Sequence, residues 1–450
     1  MEMKQKNDFT AQLSQLLSGP KAPGKAYIHG SWTYANIYAM VGNLLHHLTP
    51  NDTLCLCTDD KGLMAAAILA SVAGGPIVVI PYALSRQVMG ETMDAMPYTH
   101  AIADRMEDVP PGVQIILPDV SSGQSLPIEG WKGPDNPFLV LFTGGSTGKP
   151  KFWNKTPRNI FSEAFFQREK FAVSPEDLFI STVPCQHIYG LLFSVLLPLV
   201  ADASVLPGVY TMPSEIRAVL DEKRPTLLVS LPIHYRAIKE PRIDPCSLRM
   251  SFSSGGMLDE GDAQAFYANT GVAITEVYGS TETGGIATRC RAKGEVFWTP
   301  VKGLDWKIRE NSFLVRSGFI SPELPKDLEG YFKTGDMAEE KENNSFILKG
   351  RADGIVKVAG KRVDLRDVEN RIRDIQGVRE VLVIALPVRH GRQNEICAVI
   401  VSELDESVLL KQIKKIHEPY ALPKRIRVVD SIPVSKAGKV DRSAVEDLFH

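Results

Sequence analysis

The sequence has few cysteines, almost no net charge and no uninterrupted apolar run of membrane-spanning length. It holds six cysteines in 450 residues, and only Cys55 and Cys57 are close together, so neither a disulfide-rich fold nor a complete set of zinc ligands is indicated. Its 51 basic and 53 acidic side chains leave a formal net charge of -2, which argues against long-range attraction to nucleic acid or to an anionic membrane. With 44% hydrophobic and 23% charged residues, the composition is that of a globular protein and excludes a fibre or a disordered chain.

One uncharged stretch, residues 63–85, approaches the length that a membrane helix needs. Gly74-Gly75-Pro76 interrupts it, so we expect a buried helix before the interruption and a buried strand, Ile77–Ile80, after it. Met1–Pro20 is polar and shows no secretory pattern, and the cysteines are expected to be free thiols in a reducing compartment. We therefore expect a cytoplasmic protein without a membrane span.

Short apolar runs alternate with helical patterns along the chain, which predicts an α/β fold with largely parallel, buried strands. Examples of such runs are Phe138–Phe142, Thr226–Ser230, Val272–Thr275 and Val381–Ala385. We place a domain boundary at Gly350. This gives a large N-terminal domain of packed α/β subdomains, residues 1–350, and a small α+β C-terminal domain, residues 351–450, with its own helix at Leu365–Ile375.

A glycine-rich loop, Thr143–Lys151, follows the predicted strand Phe138–Phe142. Backbone N–H groups without bulky side chains can surround phosphate oxygens, and the two lysines of the loop add positive charge. The loop is not a P-loop, because Pro150 follows Lys149 where that motif needs Ser or Thr, and it is not a G-x-G-x-x-G dinucleotide motif. Phosphate binding is therefore the expectation and a glycine-rich surface turn the alternative. The residues concerned are Thr143, Gly144, Gly145, Ser146, Thr147, Gly148 and Lys149.

Six blocks, in one order along the chain, resemble the adenylate-forming (AMP-binding) superfamily of acyl-CoA synthetases, adenylation domains and firefly luciferase. The blocks are Thr143–Lys151, Pro184–Gly190, Tyr278–Thr283, Tyr331–Asp336, Gly350–Glu369 and Pro433–Arg442. The resemblance implies that the small C-terminal domain is mobile and that the site lies in the cleft between the domains. Departures from the family pattern include Gly144 in place of Ser, Met257-Leu258 in place of Ala-Pro, and Asn311, Ser312 and Phe313 where Gly-Glu is frequent.

The resemblance also implies a role for individual side chains. Lys439 is the expected catalytic cation, Thr281 contacts the α-phosphate, and Glu282 binds Mg²⁺, which prefers one or two carboxylates among hard oxygen ligands. The other implied assignments are Gly255, Gly256 and Tyr278 for adenine, Asp336 and Arg351 for ribose and phosphate, His187 and Tyr189 for the acyl pocket, Asp353 for the hinge and Gly360 for the pantetheine channel.

The implied activity is an ATP-dependent ligation of a carboxylic acid to a thiol. An acyl- or aryl-adenylate and pyrophosphate form first, and the acyl group then passes to the pantetheine thiol of CoA. The alternatives are a ligase that loads a pantetheinylated acyl carrier protein, a luciferase-like oxygenase, and a catalytically silent adenylate-binding protein. A kinase or P-loop ATPase would instead release ADP or phosphate. The sequence leaves open whether the acid is aryl or fatty.

Overall fold

The computed structural model describes residues 2–120, 132–143, 150–238, 247–310, 312–351, 354–358, 361–387, 394–435 and 438–449. This part of the chain divides into two compact units. The N-terminal unit is Met1–Asp305 with Arg316–Asp327, and the C-terminal unit is Trp306–Val315 with Leu328–His450. Asp353, the predicted hinge, lies outside the described residues, so the domain boundary at Gly350 stays a prediction.

Helices and strands alternate through the N-terminal unit. The helices are α1 (Glu2–Leu17), α2 (Tyr34–His47), α3 (Lys61–Val72), α4 (Arg86–Ala95), α5 (Pro157–Lys170), α6 (Ile188–Leu191), α7 (Leu197–Val200), α8 (Pro213–Lys223), α9 (Pro232–Ile238) and α10 (Glu260–Thr270). A π-helical turn, Leu192–Leu196, joins α6 to α7, and 3-10 turns cover Met106–Asp108 and Arg291–Lys293. The strands are β1 (Thr53–Cys57), β2 (Ile77–Ile80), β3 (His100–Ala103), β4 (Gln114–Ile115), β5 (Leu139–Thr143), β6 (Lys151–Lys155), β7 (Leu178–Ser181), β8 (Ser204–Val209), β9 (Leu227–Ser230), β10 (Met250–Ser253), β11 (Ile274–Ser280), β12 (Gly284–Arg289) and β13 (Thr299–Pro300).

Two sheets form the frame of this unit. The first has the order β4-β3-β1-β2-β5-β6, and all its neighbours are parallel except β5 and β6. The second has the order β13-β12-β11-β10-β9-β7-β8 and is parallel from β11 to β8. The predicted strands at 138–142 and 226–230 are β5 and β9, and β9 is buried along its whole length. The predicted α/β fold with largely parallel strands is confirmed.

The main core of the N-terminal unit joins both sheets to the helices that lie against them. Leu139 of the first sheet and Phe252 of the second belong to one buried cluster, together with side chains of α2, α3, α5 and the helical segment 188–200. Burial of apolar surface of this kind is the main favourable term in folding. The core therefore fixes how the two sheets are placed within this unit.

The uncharged stretch 63–85 folds as a helix followed by a strand, as predicted. Asp60 caps α3 by accepting the N–H groups of Gly62 and Leu63 at 2.8 Å each. Gly74 has a φ of 103° and separates the helix from β2. In the described part of the chain, none of the helices combines the length and apolar character that a bilayer crossing requires.

The C-terminal unit is an α+β structure. Its strands are β14 (Asp305–Arg309), β15 (Ser312–Arg316), β16 (Phe332–Lys333), β17 (Asp336–Lys341), β18 (Ser345–Arg351), β19 (Ile355–Val358), β20 (Lys361–Asp364), β21 (Val378–Pro387), β22 (Asn394–Ser402) and β23 (Arg425–Val428), and its helices are α11 (Leu365–Arg373), α12 (Glu406–Ile416) and α13 (Arg442–Asp447). The sheets are β14-β15-β16, β17-β18, β19-β20 and β21-β22-β23. Ile372 of α11 and Ile413 of α12 share a buried cluster with Ile396 and Ile400 of β22, so these two helices cover the last sheet.

Candidate active site

Four loops follow neighbouring parallel strands of the second sheet and therefore lie at one edge of it. They begin after the carboxyl ends of β7, β9, β10 and β11, which are adjacent in that sheet. In open α/β sheets this edge is where ligands bind. Ser254 Oγ donates a hydrogen bond to the Val277 carbonyl oxygen at 2.8 Å, and a methyl group built on Gly255 would lie 3.3 Å from Leu231 Cδ2. The predicted adenine turn at Gly255 and Gly256 thus contacts the strands or loops on both sides.

The two ends of the glycine-rich loop are paired with each other. Thr143 is the last residue of β5 and Lys151 the first residue of β6, and they are partners in the antiparallel register. Thr143 Oγ1 accepts a hydrogen bond from Trp153 Nε1 at 3.2 Å. The loop itself, Gly144 to Lys149, lies outside the described residues, so its contacts to phosphate stay a prediction.

Thr281 and Glu282 lie at the tip of a β-hairpin. The antiparallel strands β11 and β12 are joined by residues 281–283, which we call the hairpin tip. The hydroxyl oxygens of Ser280 and Thr283 lie 3.0 Å apart, and the Ser280 N–H donates to Thr283 Oγ1 at 3.2 Å. Thr281 and Glu282 are both half-buried, so their side chains are partly accessible at the sheet edge.

The backbone of the hairpin tip is held by a neighbouring segment. The Ser321 N–H donates to the Glu282 carbonyl oxygen at 2.9 Å. Just before Ser321, the segment 318–320 is held by Asn159, whose Nδ2 donates to two of its carbonyl oxygens at 2.7 and 3.1 Å. Asn159 also forms a capping box with Thr156 at the start of α5. The first turn of α5 therefore anchors the segment that fixes Glu282.

Two buried charged residues lie behind the hairpin tip. Lys155 ends β6, is 1% exposed, and donates from Nζ to the Glu282 carbonyl oxygen at 3.5 Å. Glu163 lies on α5, is 2% exposed, and accepts the Gly285 N–H on Oε1 at 2.9 Å. Burial lowers the pKa of Lys155 to about 8 and raises the pKa of Glu163 to about 7. Neither residue belongs to a motif that the sequence displays.

Two glycines make room for the Glu163 carboxylate. A methyl group on Gly284 would lie 2.5 Å from Oε2, and one on Gly285 would lie 2.7 Å from Oε1. Gly284 also has a φ of +66°, which other residues rarely adopt. A glycine pair inside a strand often marks a close approach of other atoms. That pair is the sequence signal from which a buried partner behind β12 could be expected.

Tyr278 lies in a row of aromatic and cationic groups. Its half-buried ring is 5.6 Å from the ring of Trp298, measured between centroids. The guanidinium carbon of Arg289 lies 4.3 Å from the Trp298 ring, and the same guanidinium bonds both carboxylate oxygens of Glu276 at 2.8 and 2.9 Å. Trp298 belongs to none of the motifs described above, so the sequence did not predict its position beside Tyr278. Stacking of Tyr278 on adenine stays a prediction.

The predicted acyl block begins the helical segment 188–200. His187 is half-buried, and its N–H donates to the Pro184 carbonyl oxygen at 3.3 Å. The Tyr189 hydroxyl donates to the Ser230 carbonyl oxygen at 3.3 Å. Burial raises the pKa of Tyr189, so its phenol remains a neutral donor. The structure therefore joins this block to the carboxyl end of β9.

A chain of polar side chains continues from Ser230. The hydroxyl oxygens of Ser230 and Thr182 are 2.8 Å apart, and Thr182 Oγ1 is 2.7 Å from His234 Nδ1. Ser230 and Thr182 are buried, and burial lowers the pKa of the half-buried His234, which favours its neutral form. These residues come from the ends of two strands and from one helix, so they do not form a motif that could be recognised in the sequence.

In the C-terminal unit, the two residues predicted to contact ribose and phosphate lie opposite each other. Asp336 begins β17 and Arg351 ends β18, and their Cα atoms are partners in the antiparallel register. The Asp336 N–H donates to Thr334 Oγ1 at 3.2 Å, and that hydroxyl donates to the Phe313 carbonyl oxygen at 2.9 Å. The structure thus brings these two predicted residues together on adjacent strands.

Lys439 lies in a tight turn near the end of the C-terminal unit. Val434 and Val440 form an antiparallel bridge, and the Ser435 N–H donates to the Lys439 carbonyl oxygen at 2.7 Å. Gly438 has a φ of +69° and donates its N–H to the Ser435 carbonyl oxygen at 2.9 Å. Lys439 is exposed. The turn therefore presents a cation to solvent within its own unit.

Two further predicted residues, Asp353 and Gly360, lie outside the described residues, so the hinge and the pantetheine channel stay predictions. Across the described ranges, no group of three or more His, Cys, Asp or Glu side chains is arranged to hold a metal ion. A Mg²⁺ ion at Glu282 would therefore take its other ligands from phosphate oxygens and water, which is its usual preference.

Comparisons with known proteins extend over both units. Residues 20–312 match the family model of the AMP-binding enzyme, and residues 367–439 match that of the AMP-binding enzyme C-terminal domain. The chain is 27% identical to malonate–CoA ligase of Arabidopsis thaliana over an alignment of 404 residues, which covers 76% of this chain and 66% of that protein. It is 26% identical to anthranilate–CoA ligase of Pseudomonas aeruginosa over 469 residues, 92% of this chain and 90% of that protein.

A solved structure shares the fold over nearly the whole chain. The crystal structure of ATP-bound MatB from Rhodopseudomonas palustris has a TM-score of 0.83 and 19% sequence identity, and it covers 97% of this chain and 98% of that one. This likeness confirms the predicted fold, a large α/β domain followed by a small C-terminal one. Since the two family models together match most of the sequence, the chain belongs to the family of AMP-binding enzymes.

Proposed function

We propose that the protein is an AMP-forming acid–CoA ligase. The observation that carries the proposal is the hairpin tip, which presents Thr281 and Glu282 at the carboxyl edge of the parallel sheet beside Tyr278. The family membership and the CoA ligases among its relatives support it. The substrates are a carboxylic acid, ATP and CoA, and the products are acyl-CoA, AMP and pyrophosphate.

The chemistry requires groups that shield and orient anionic oxygens. A carboxylate is a poor electrophile because its charge repels nucleophiles, and linking it to AMP supplies a good leaving group. Catalysis of this step is chiefly positioning and preorganised electrostatics. Thr281 hydrogen-bonds the α-phosphate, Lys439 neutralises charge on the reacting carboxylate and phosphate, and the glycine-rich loop binds the remaining phosphates.

Several of the predicted residues are assigned to the nucleoside and its phosphate. Tyr278 lies against adenine, which rests at the Gly255-Gly256 turn. Asp336 accepts hydrogen bonds from the ribose hydroxyls, and Arg351 on the adjacent strand contacts ribose and phosphate, as a fork-shaped donor suits.

Mg²⁺ is part of the proposal, and the residues at the hairpin tip fit it. Glu282 offers one hard carboxylate, half-buried and on a fixed backbone. Mg²⁺ is bound in phosphate-transferring sites by one or two carboxylates together with substrate phosphates. When bound, the ion would neutralise phosphate charge and orient the leaving pyrophosphate.

We assign the acid site to His187 and Tyr189. The polar chain of Ser230, Thr182 and His234 adjoins it, and such groups recognise a polar substituent on an acid. An aryl or short acid with a second polar group is therefore preferred over a plain fatty acid. Transfer to the thiol of a carrier protein remains the alternative to CoA. A cytoplasmic location stays a prediction.

Product analysis tests this function. The purified protein is incubated with ATP, Mg²⁺, CoA and a panel of aryl, dicarboxylic and fatty acids, and the nucleotide and thioester products are separated. We expect AMP, pyrophosphate and acyl-CoA in equal amounts, each dependent on the acid. Release of ADP or phosphate, or nucleotide turnover that ignores the acid, would refute the proposal. A thioester on a pantetheinylated carrier protein but not on CoA would select the carrier-loading alternative.

A further inference from the structure

The turn that carries Thr281 and Glu282 is enclosed on its inner side by residues from β6, α5 and the segment 318–321. The Glu282 carbonyl oxygen accepts from Ser321 N–H at 2.9 Å and from Lys155 Nζ at 3.5 Å. Immediately after the tip, the Gly285 N–H donates to Glu163 Oε1 at 2.9 Å. The backbone is thus held at Glu282 in the hairpin tip and at Gly285 near the start of β12. The groups that hold it lie more than 35 residues away in sequence.

Lys155 and Glu163 are an unusual choice for a site that only needs packing. Both side chains are almost fully buried, at 1% and 2% exposure. Taking a charge out of water costs several kcal/mol, and apolar residues of similar volume often serve stability as well or better. The stability of the fold therefore does not explain why charged side chains occupy positions 155 and 163.

Their electrostatic environment supplies one. The Lys155 ammonium interacts with the carboxylates of Glu163, Glu282 and Glu323. It therefore lies where it attracts the Glu282 side chain and holds the Glu282 backbone at the same time. A metal-binding carboxylate needs its position maintained, and neighbours that hold that position tune metal affinity.

We propose that Lys155 and Glu163 are positioning residues for Glu282 and thereby set how tightly the site binds Mg²⁺ with ATP. Lys155 acts on the Glu282 peptide and carboxylate, and Glu163 fixes the backbone that follows the tip. The inference rests on the proposed function, in which Glu282 is the metal ligand. Neither residue contacts substrate in this account.

The glycine pair Gly284-Gly285 supports a specific fit. Side chains there would come within 2.5 and 2.7 Å of the Glu163 carboxylate oxygens. The close approach places the carboxylate within hydrogen-bonding distance of the Gly285 N–H. A residue that merely filled space behind the strand would not need two glycines facing it.

The test compares Lys155→Met with Lys61→Met. Lys61 is a matched control because it is equally buried, at 1% exposure, in the same unit, but donates to the carbonyl oxygens of Leu206, Pro207 and Gly208. For each protein the half-saturating Mg²⁺ concentration for pyrophosphate release is measured, with kcat at saturating Mg²⁺ and ATP. Lys155→Met should raise the half-saturating Mg²⁺ about tenfold and change kcat less than about threefold. Lys61→Met should leave the Mg²⁺ dependence unchanged.

A second readout does not depend on turnover. ATP with Mg²⁺ should raise the Tm of the wild-type protein more than ATP with a chelator, because a bound ligand stabilises the folded state. Lys155→Met should lose most of this Mg²⁺-dependent increment, whereas the rise with ATP alone should persist. If Lys155→Met does not fold, Glu163→Met removes the other support and should give the same result, while Glu163→Gln keeps an acceptor for Gly285 and should have a smaller effect.

The double variant that combines Lys155→Met with Glu282→Gln shows whether Lys155 acts through Glu282. In a Glu282→Gln background, Lys155→Met should raise the half-saturating Mg²⁺ less than about twofold, because the ligand it positions is already lost. Independent, multiplying effects would overturn the inference, and so would a normal Mg²⁺ dependence of Lys155→Met beside an impaired Glu282→Gln. If Glu282→Gln itself keeps a normal Mg²⁺ dependence, the metal assignment fails first and the inference falls with it.

Discussion

The hairpin tip of the N-terminal unit and the Lys439 turn of the C-terminal unit both carry proposed active-site groups, and they are built in opposite ways. Donors from distant segments hold the Glu282 backbone, and buried side chains lie behind it. The turn at Lys439 is closed by its own backbone, through Ser435 and Gly438, and its lysine is exposed. A metal ligand needs a fixed frame, whereas an exposed cation on a small turn suits a group that is needed in one step and must leave in the next.

The Lys439 side of this comparison predicts a loss confined to one half-reaction. Lys439→Ala should slow adenylate formation by about 10²–10³-fold, because it removes the cation that stabilises developing charge. Its effect on thioester formation from supplied acyl-adenylate should be small. Gly360→Leu should do the reverse, since a side chain there would narrow the predicted pantetheine channel.

The measurement follows each half-reaction separately by rapid quench, with wild-type protein as the reference. Circular dichroism and Tm confirm that both variants are folded. Adenylation at the wild-type rate by Lys439→Ala would remove the main catalytic assignment. Normal transfer by Gly360→Leu would show that the pantetheine channel does not pass that glycine.

The Glu282 side predicts a change in metal use with little change in the fold. Glu282→Gln should raise the half-saturating Mg²⁺ for pyrophosphate release by about 10–100-fold, because the amide oxygen carries no charge. Glu260→Gln, an exposed carboxylate on α10, serves as a control. The ligand role would be contradicted by titrations of Glu282→Gln and wild type that coincide.

Glu163, behind the hairpin tip, predicts a pH dependence of the free energy of unfolding. Burial raises its pKa from 4.5 to about 7, so the folded state binds the proton more tightly than the unfolded one. Its contribution is full below pH 4.5 and is lost as the pH rises through about 7. Burial lowers the pKa of Lys155 from 10.5 to about 8, so its effect on the free energy of unfolding has the opposite sign. That free energy rises as the pH increases from about 8 towards 10.5.

Glu163→Gln cannot titrate, so its free energy of unfolding should fall about 1–2 kcal/mol less than that of the wild type between about pH 5 and about pH 7. Urea unfolding at several pH values measures this difference. Glu169→Gln, an exposed carboxyl on the same helix, should follow the wild-type curve. A Glu163→Gln curve parallel to the wild type would show that Glu163 does not titrate in this range.

A smaller effect is expected at the proposed acid site, where the polar chain of Ser230, Thr182 and His234 would supply one hydrogen bond to the substrate. Thr182→Val or His234→Leu should lower kcat/KM for an aryl acid with a hydroxyl or second carboxyl group by about fivefold, the value of one hydrogen bond. The unsubstituted acid is the internal control and should change little. Equal losses for both acids would indicate a structural role for these residues.

Local sequence patterns predicted the strands and the motif residues. The pairing of these residues, and the buried side chains behind them, depend on tertiary contacts that local patterns do not show. The strand at 138–142 could be found because a strand in a parallel sheet is apolar along its length. Asp336 and Arg351 could be found because each lies in a recognisable block, although their pairing on β17 and β18 could not. β11 runs from Ile274 to Ser280, whereas the apolar run predicted only 272–275, because Glu276, Gly279 and Ser280 interrupt the apolar pattern in the second half of the strand.

Lys155 and Glu163 show why the sequence did not predict the residues behind the hairpin tip. Both lie in a charged, amphipathic segment where exposure is the ordinary expectation. Their burial arises from contacts with Glu282 and Gly285, more than 100 residues later in the chain. Only the glycine pair at 284–285 hinted at a close partner, and a glycine pair does not say which residue approaches it.

Acid-dependent exchange of labelled pyrophosphate into ATP is the most direct test of the proposed activity, because it reports reversible adenylate formation without CoA. We expect exchange that requires both the acid and Mg²⁺, proceeds in the absence of CoA, and is nearly abolished in Lys439→Ala. Exchange that needs no acid, or no exchange with an acid that the protein converts to its CoA thioester, would contradict it.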